Sequence, residues 1–192
     1  MITTKHKEWD AKFRLWRQHG MSVSDTVRHA SNSIIFESYP ELGFNYRMTD
    51  VQAAIGRQQL KRLPHFIGRR RELAAEYRSL LADVPGLQLP PEPKWARSNW
   101  QSYCTRLSEG VEQRHVMQAL LDRNIATRRG IMCSHRESAY PPGTWRAAGP
   151  LSESERAQDE CILIPLYHLL TPEEQKLIAS ELRKVLAVQC VA

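Results

Sequence analysis

Apolar positions along the chain predict helices that alternate with short strands. The opening residues, MITT, predict a strand, and an amphipathic helix follows over residues 6–18. The apolar members of that helix are Trp9, Phe13, Leu15 and Trp16. A polar segment of roughly thirty residues then runs from Gly20 to Met48, and its length favours a functional role or docking on another chain.

A helix start is marked at Thr49. Its hydroxyl can cap the helix, and Gln52 stands three residues later, as a capping box requires. Pro64 predicts an interruption and a second helix over 64–82, because proline removes a backbone hydrogen bond inside a helix. The turn sequence at 83–86, Asp-Val-Pro-Gly, ends that second helix.

Residues 90–98 are rich in proline and polar side chains and predict a linker. Helices and strands alternate again after it. Strands are predicted at 100–107, 125–129 and 161–166, and helices at 111–123, 152–160 and 172–188. Two of these helices begin with capping-box sequences, Ser152 with Glu155 and Thr171 with Glu174. The whole pattern predicts an α/β fold.

The composition is ordinary for a globular protein, with 42% apolar and 25% charged residues among 192. No stretch approaches the ~18 apolar residues that cross a membrane, and the N-terminus shows no apolar segment typical of a secretory signal. The four cysteines are widely scattered, which predicts free thiols in a reducing cytoplasm. No histidine has the spacing of a zinc-binding helix, so we expect no metal site.

The formal net charge of +6 is moderately basic. The densest basic run, Arg69–Arg71, lies in a helical stretch without the interleaved aromatic residues that bind single-stranded nucleic acid. A solvated helix face explains the run most simply; attraction of an anionic ligand and nucleic-acid binding are the alternatives.

The segment GFNYR lies directly ahead of the helix that begins at Thr49. Gly43 permits an unusual backbone angle, Asn45 can donate and accept hydrogen bonds, and Arg47 carries a planar fork suited to phosphate or carboxylate. Because a helix N-terminus favours anions, these residues predict an anion-binding site. The alternative is a set of turn residues that satisfy local backbone groups.

The stretch GFNYRMTDVQAAIGRQQLKRL closely resembles the signature of the DegT/DnrJ/EryC1/StrS aminotransferases, pyridoxal-phosphate enzymes that mostly make amino sugars on nucleotide carriers. Three further segments resemble family patterns in the same order: MITT with RLWRQHGMS, then RNIATRRGIMCSHRESAY, then SESERAQDECILIPLYHLLTPEEQ. The resemblance covers almost the whole chain and identifies it as a member of this family.

The resemblance implies an α/β fold, namely the C-terminal part of a fold-type I PLP-dependent transferase. Residues 1–89 would form the end of the large cofactor domain, with long interface helices, and residues 90–192 the small C-terminal α/β domain. The resemblance also implies a cytoplasmic homodimer with active sites at the interface, without nucleic-acid or membrane partners.

Four residues acquire expected roles from the resemblance. Asn45 corresponds to the asparagine that reaches across the dimer to the phosphate of pyridoxal 5′-phosphate, and Arg47 to an arginine placed for an anionic substrate group. His135 matches a histidine near the nucleotide sugar, although a loop histidine with local bonds is the alternative. Tyr46 is expected to pack rather than to react.

The lysine that forms a Schiff base with the cofactor has no counterpart, because in the family it precedes the strand that matches MITT. The resemblance therefore implies a C-terminal fragment that is inactive alone. For the whole enzyme it implies amino transfer from glutamate to a keto sugar on a nucleotide carrier, as in polysaccharide biosynthesis. The alternative is a non-catalytic module that donates phosphate-binding residues to a complementing N-terminal half, and a remnant without a role stays open. We expect residues 1–48 to be poorly ordered in isolation and residues 97–188 to fold as a unit.

Overall fold

The computed structural model describes residues 2–189, apart from the side chains of residues 25 and 189. The chain divides into two compact units between Lys61 and Arg62. The first unit contains helix α1 (Lys7–Trp16) and the short helix α2 (Asp25–Ala30). Helix α3 (Asp50–Leu81) begins in the first unit and ends in the second.

The second unit contains a four-stranded sheet and three further helices. Its elements are β1 (Leu87–Gln88), β2 (Tyr103–Leu107), α4 (Gln113–Leu121), β3 (Arg128–Arg129), α5 (Ser152–Glu160), β4 (Cys161–Ile164) and α6 (Pro172–Gln189). The strand order is β1-β2-β4-β3 and every neighbouring pair is antiparallel. The predicted mixture of helices and strands is confirmed, although β2, β3 and β4 are each shorter than predicted and β1 was not predicted.

Alternating burial along the two central strands builds the core of the second unit. Tyr103, Thr105 and Leu107 of β2 are buried, while Cys104 and Arg106 between them are partly exposed. The buried face packs with apolar side chains of α3, α4, β4 and α6, which include Leu73, Tyr77, Leu81, Val116, Leu120, Ile162, Leu182 and Leu186.

Two buried polar side chains fasten α3 to this core. Tyr77 donates a hydrogen bond to the carbonyl of Pro165 at 2.9 Å, and burial raises the pKa of its hydroxyl. Gln175 of α6 donates to the carbonyl of Leu73 at 2.6 Å. Because buried polar groups destabilise a core unless they are hydrogen-bonded, these pairs fix where α3 docks.

The basic run Arg69–Arg71 is engaged by the protein's own backbone. Its guanidinium groups donate to backbone carbonyls far along the chain. Arg69 donates to the carbonyl of Leu170, Arg70 to those of Trp100 and Gln101, and Arg71 to that of Ser98. All three arginines are partly buried. The predicted solvated helix face is therefore wrong for this run, since each planar fork reaches carbonyls that would otherwise lack partners.

In the first unit, residues 44–46 run antiparallel to the chain that follows α1, with an isolated bridge between Gln18 and Asn45. Three backbone hydrogen bonds join the two segments: Phe44 N to Trp16 O (2.6 Å), His19 N to Phe44 O (3.0 Å) and Tyr46 N to Arg17 O (2.9 Å). We call this set of bonds the backbone clamp. It rests on a close approach of Gly20 and Gly43, where a Cβ on Gly43 would overlap the backbone nitrogen of Gly20.

Two predictions near the start of the chain are wrong. Residues 2–4 form no strand and pair with no other strand among residues 2–189, because a strand forms only where a partner completes its hydrogen bonds. Gly43 does not have a positive φ; the left-handed glycine here is Gly20, at φ +71. A glycine is required at position 43 because the backbone of Gly20 lies where a Cβ would be.

Helix α3 continues through Pro64, so the predicted second helix is the C-terminal part of a single one. Residues 61–65 are exposed, and water can satisfy the carbonyl that Pro64 leaves without a donor. The capping box predicted at Ser152 is also wrong. Ser152 is already helical and Leu151 occupies the N-cap position without a side-chain hydrogen bond.

No helix in the described part of the chain is long and apolar enough to cross a membrane.

We expect the two core tyrosines to respond oppositely to loss of the hydroxyl. Tyr77→Phe removes the donor to Pro165 and should lower the free energy of unfolding by about 1–3 kcal/mol. Tyr103→Phe should leave it unchanged or raise it, because the Tyr103 hydroxyl has no hydrogen-bond partner within residues 2–189. Urea unfolding followed by circular dichroism measures both. Equal destabilisation by the two substitutions would contradict this account of the core.

We expect Gly43→Ala to open the backbone clamp, because the added methyl group overlaps the Gly20 backbone. Hydrogen exchange at the Phe44 and Tyr46 amides should become faster than in the wild type. Gly56→Ala in α3 is the matched control, since a Cβ at Gly56 meets no atom within 4 Å. It should leave those amides unchanged and stabilise α3 slightly, by about 0.5–1 kcal/mol. Unchanged exchange in Gly43→Ala would refute the close approach.

Candidate functional site

The start of α3 has the capping geometry that its sequence predicts. The Gln52 amide nitrogen of the backbone donates to the Thr49 hydroxyl at 3.3 Å, and the Thr49 backbone nitrogen donates to the Gln52 side chain at 3.0 Å. These reciprocal bonds satisfy two donors that a helix N-terminus leaves open. The capping box therefore fixes where residues 45–48 end and the helix begins.

Asn45 lies within the backbone clamp, and Arg47 lies between the clamp and α3. The Arg47 Nε donates to the Asn45 side-chain oxygen at 3.2 Å, which turns the amide nitrogen of Asn45 away from the guanidinium. Both side chains are exposed. Tyr46, between them in sequence, is 74% exposed and stacks on Phe44 with ring centroids 5.3 Å apart.

This donor set has the chemistry of an anion site. An exposed side-chain amide and an exposed guanidinium lie within five residues of the first residue of a 32-residue helix. The clamp holds the backbone of Asn45 through its neighbours, so the amide is placed before any ligand arrives. Of the three residues predicted for the site, the structure brings Asn45 and Arg47 together in the first unit.

His135 belongs to the second unit and lies in a 3-10 turn, Ser134–Arg136. Its Nε2 is 2.8 Å from a carboxylate oxygen of Glu155 in α5, and its side chain is 15% exposed. The ring of Trp145 lies 5.1 Å from the imidazole, centroid to centroid. Glu155 is therefore paired with His135 rather than with the N-terminus of α5.

A cavity of about 800 Å³ opens beside His135. Tyr140, Trp145 and Arg146 line it together with Met132. A second cavity, of about 640 Å³, shares Met132 in its lining and carries Arg70, Arg128 and Arg129. Both volumes lie within the range of small-molecule sites, and the combination of aromatic rings with guanidinium groups suits an aromatic, anionic ligand.

Sequence reasoning found His135 but missed its companions. Trp145 lies in a loop whose apolar residues have no periodicity, so the pattern gave no signal for it. Glu155 did give a signal, but as a capping residue. Its pairing with His135 depends on a contact 20 residues away in sequence, which local spacing does not encode.

Two cysteines that lie far apart in sequence come together on the sheet. Cys104 and Cys161 project from the same face of β2 and β4, and Cys161 lies two residues from Leu163, the residue paired with Cys104. Burial, followed by the neighbouring Cys161 thiol, raises the pKa of Cys104 to about 11. A thiol held protonated is a poor nucleophile. Cys104, Cys133 and Cys161 are free thiols, as predicted; Cys190 lies outside the described residues.

Within the part of the chain that the structure describes, no group of three or more histidine, cysteine or acidic side chains could hold a metal ion.

Several known proteins similar to this chain are named as aminotransferases. This chain is 38% identical over 140 residues to the dTDP-4-dehydro-2,3,6-trideoxy-D-glucose 4-aminotransferase of Saccharopolyspora spinosa. The match covers 70% of this chain and 34% of that protein. The aminotransferase TlmJ from Streptoalloteichus hindustanus is similar in structure, with a TM-score of 0.80 and 29% identity over 96% of this chain and 46% of TlmJ.

A second solved structure is similar in fold at a lower sequence identity. PseC of Helicobacter pylori, an aminotransferase involved in the biosynthesis of pseudoaminic acid, has a TM-score of 0.83 at 23% identity, over 96% of this chain and 48% of PseC. The chain has the mixed α/β fold of such aminotransferases and spans about a third to a half of the length of these relatives.

A family model matches nearly the entire sequence. It is that of the DegT/DnrJ/EryC1/StrS aminotransferases, and the match covers residues 1–183. Together with the relatives and the shared fold, this match confirms the resemblance carried by the residues around Asn45: the chain belongs to the DegT/DnrJ/EryC1/StrS aminotransferase family.

Proposed function

We propose that the chain supplies the C-terminal portion of a cytoplasmic, pyridoxal-phosphate-dependent sugar aminotransferase. The whole enzyme transfers an amino group, with glutamate as donor, to a keto sugar on a nucleotide carrier. Residues 1–89 contribute the end of its large domain and residues 90–192 its small domain. The observation that carries the proposal is the backbone clamp, which presents Asn45 and Arg47 ahead of α3.

The donor set of the first unit fits the phosphate of pyridoxal 5′-phosphate. Asn45 would donate its amide N–H to a phosphate oxygen, and Arg47 would orient that amide and balance negative charge. When bound, the cofactor supplies the electron sink for amino transfer. Asn45 and Arg47 themselves bind and orient, and neither is proposed to move a proton.

The cavity beside His135 is proposed to take the nucleotide sugar. Trp145 and Tyr140 offer aromatic faces to a nucleobase, while Arg146 and the arginines of the neighbouring cavity suit a diphosphate. His135 then contributes a hydrogen bond to the same ligand. The S. spinosa relative is named for a dTDP-linked sugar, and this supports a nucleotide sugar as the substrate class here.

The reaction also requires a lysine that binds the cofactor covalently, and none of the lysines here matches that position. We propose that the chain acts in a complex, either a homodimer or an assembly with a complementing N-terminal half. The apolar surface of the first unit supports such a partner, because Ile34, Phe36, Leu42 and Val51 are each 70% exposed or more.

A second candidate function is that the chain is a non-catalytic module, and the exposed apolar surface of the first unit supports it as well. That same apolar surface suits a role in which the chain only completes a partner's phosphate site through Asn45. The two candidates differ in whether the assembled complex transfers amino groups.

The test uses the chain co-expressed with the lysine-bearing part of the S. spinosa relative. Asn45→Ala should weaken binding of pyridoxal 5′-phosphate to the complex by about 10- to 100-fold, the effect of losing a hydrogen bond to a charged group. Binding of pyridoxal, which lacks the phosphate, should not change. Equilibrium dialysis with cofactor absorbance measures both affinities.

Arg57→Ala is the matched control, because Arg57 is an exposed arginine of α3 away from the clamp, and it should retain wild-type affinity. Equal losses for pyridoxal and its phosphate in Asn45→Ala would refute the phosphate role. Cofactor bound without amino transfer by the complex would favour the non-catalytic module. Turnover by the purified chain alone would contradict the need for a partner.

A further inference from the structure

Helix α5 presents one continuous face to the turn that carries His135. Four of its residues, spaced by one and four positions, each contact that turn: Ser154, Glu155, Gln158 and Asp159. The spacing places them on one side of the helix. The turn is therefore held against α5 by several independent bonds rather than by one.

Three of these four bonds hold the turn without involving His135. The backbone nitrogen of Cys133 donates to Gln158 at 2.5 Å, and the Cys133 thiol donates to the carbonyl of Ser154 at 3.2 Å. Arg136 forms an ion pair with Asp159 at 2.7 Å. Loss of the His135–Glu155 contact would therefore leave the turn in place. The contact acts on the imidazole ring of His135 instead.

The His135–Glu155 contact determines which ring nitrogen carries the proton. An ionised carboxylate can only accept hydrogen bonds, so Nε2 must be the donor across the 2.8 Å contact. Within residues 2–189 no protein group bonds the other ring nitrogen, Nδ1. In a neutral imidazole with Nε2 protonated, Nδ1 is a hydrogen-bond acceptor.

The surroundings of His135 also restrict how the ring can rotate. Only 15% of its side chain is exposed, and Trp145 lies against it at a ring tilt of 57°. Both His135 and Trp145 line the 800 Å³ cavity. With Nε2 directed at Glu155, the ring keeps one orientation relative to that cavity.

We propose that Glu155 is the positioning residue for His135 in the nucleotide-sugar site. It holds the tautomer with the proton on Nε2, and so keeps Nδ1 as an acceptor for a hydroxyl or N–H group of the ligand. This inference rests on the proposed function, in which the cavity takes the nucleotide sugar. Glu155 itself does not touch the ligand.

The tautomer can be measured directly in the full chain. Long-range ¹H–¹⁵N spectra at pH 8, where an ordinary imidazole is neutral, should show His135 of the wild type protonated on Nε2 alone. Glu155→Gln keeps the shape but can donate as well as accept, so His135 should become a mixture of both tautomers. Asp159→Asn is the matched control, because it removes the same charge from the same face of α5, and it should keep the wild-type pattern.

A wild-type ring protonated on Nδ1, or an unchanged pattern in Glu155→Gln, would overturn the proposal. Circular dichroism of each variant verifies that α5 and the sheet are intact, so a changed pattern reports on the ring rather than on unfolding.

Ligand binding supplies the functional readout. The probes are dTDP-glucose and UDP-glucose, titrated into the same chains and followed by the His135 resonances. For the probe that binds, Glu155→Gln should raise the Kd by about three- to tenfold, the effect of one misdirected hydrogen bond, while Asp159→Asn should match the wild type.

The two possible failures are distinguishable. If neither probe binds the wild type, the assignment of the cavity fails and the positioning role fails with it. If a probe binds the wild type and Glu155→Gln equally well, the cavity assignment stands and the positioning role alone is refuted.

Discussion

Burial of apolar side chains is concentrated in the second unit, and the rest of the structure depends on this imbalance. Leu73, Tyr77 and Leu81 of α3 are at most 1% exposed and pack on the antiparallel sheet and α6. Among the described residues 2–61, only Gly20 and Met21 are buried. Because apolar burial is the main favourable contribution to folding, the second unit has its own core and the first unit does not.

The first unit is ordered by hydrogen bonds instead. The backbone clamp and the capping box at Thr49 fix the chain on both sides of Asn45 and Arg47. Such bonds stabilise only modestly when water competes for the same groups. A segment with precise donors, little core and a large apolar surface has the properties of a surface that a second polypeptide covers.

Sequence reasoning succeeded where the determining contacts are local. The capping boxes at Thr49 and Thr171 form as predicted, because each involves residues three positions apart. It failed at Ser152, which lies inside α5 rather than at its N-cap, while Glu155 pairs with a histidine from another part of the chain. The family signature located the three candidate site residues, whereas Trp145 and the Cys104–Cys161 pair depend on packing and strand register that no local pattern records.

The central claim is that the first unit is a surface completed by a partner polypeptide. Amide hydrogen exchange tests it most directly, measured on the chain alone and again with the lysine-bearing part of the S. spinosa relative. For the chain alone, we expect residues 22–48 to exchange far faster than β2 and α6. Adding the partner should slow exchange across 34–60 and leave β2 and α6 unchanged. Equal protection of both units in the chain alone, or no slowing across 34–60 with the partner, would contradict the account.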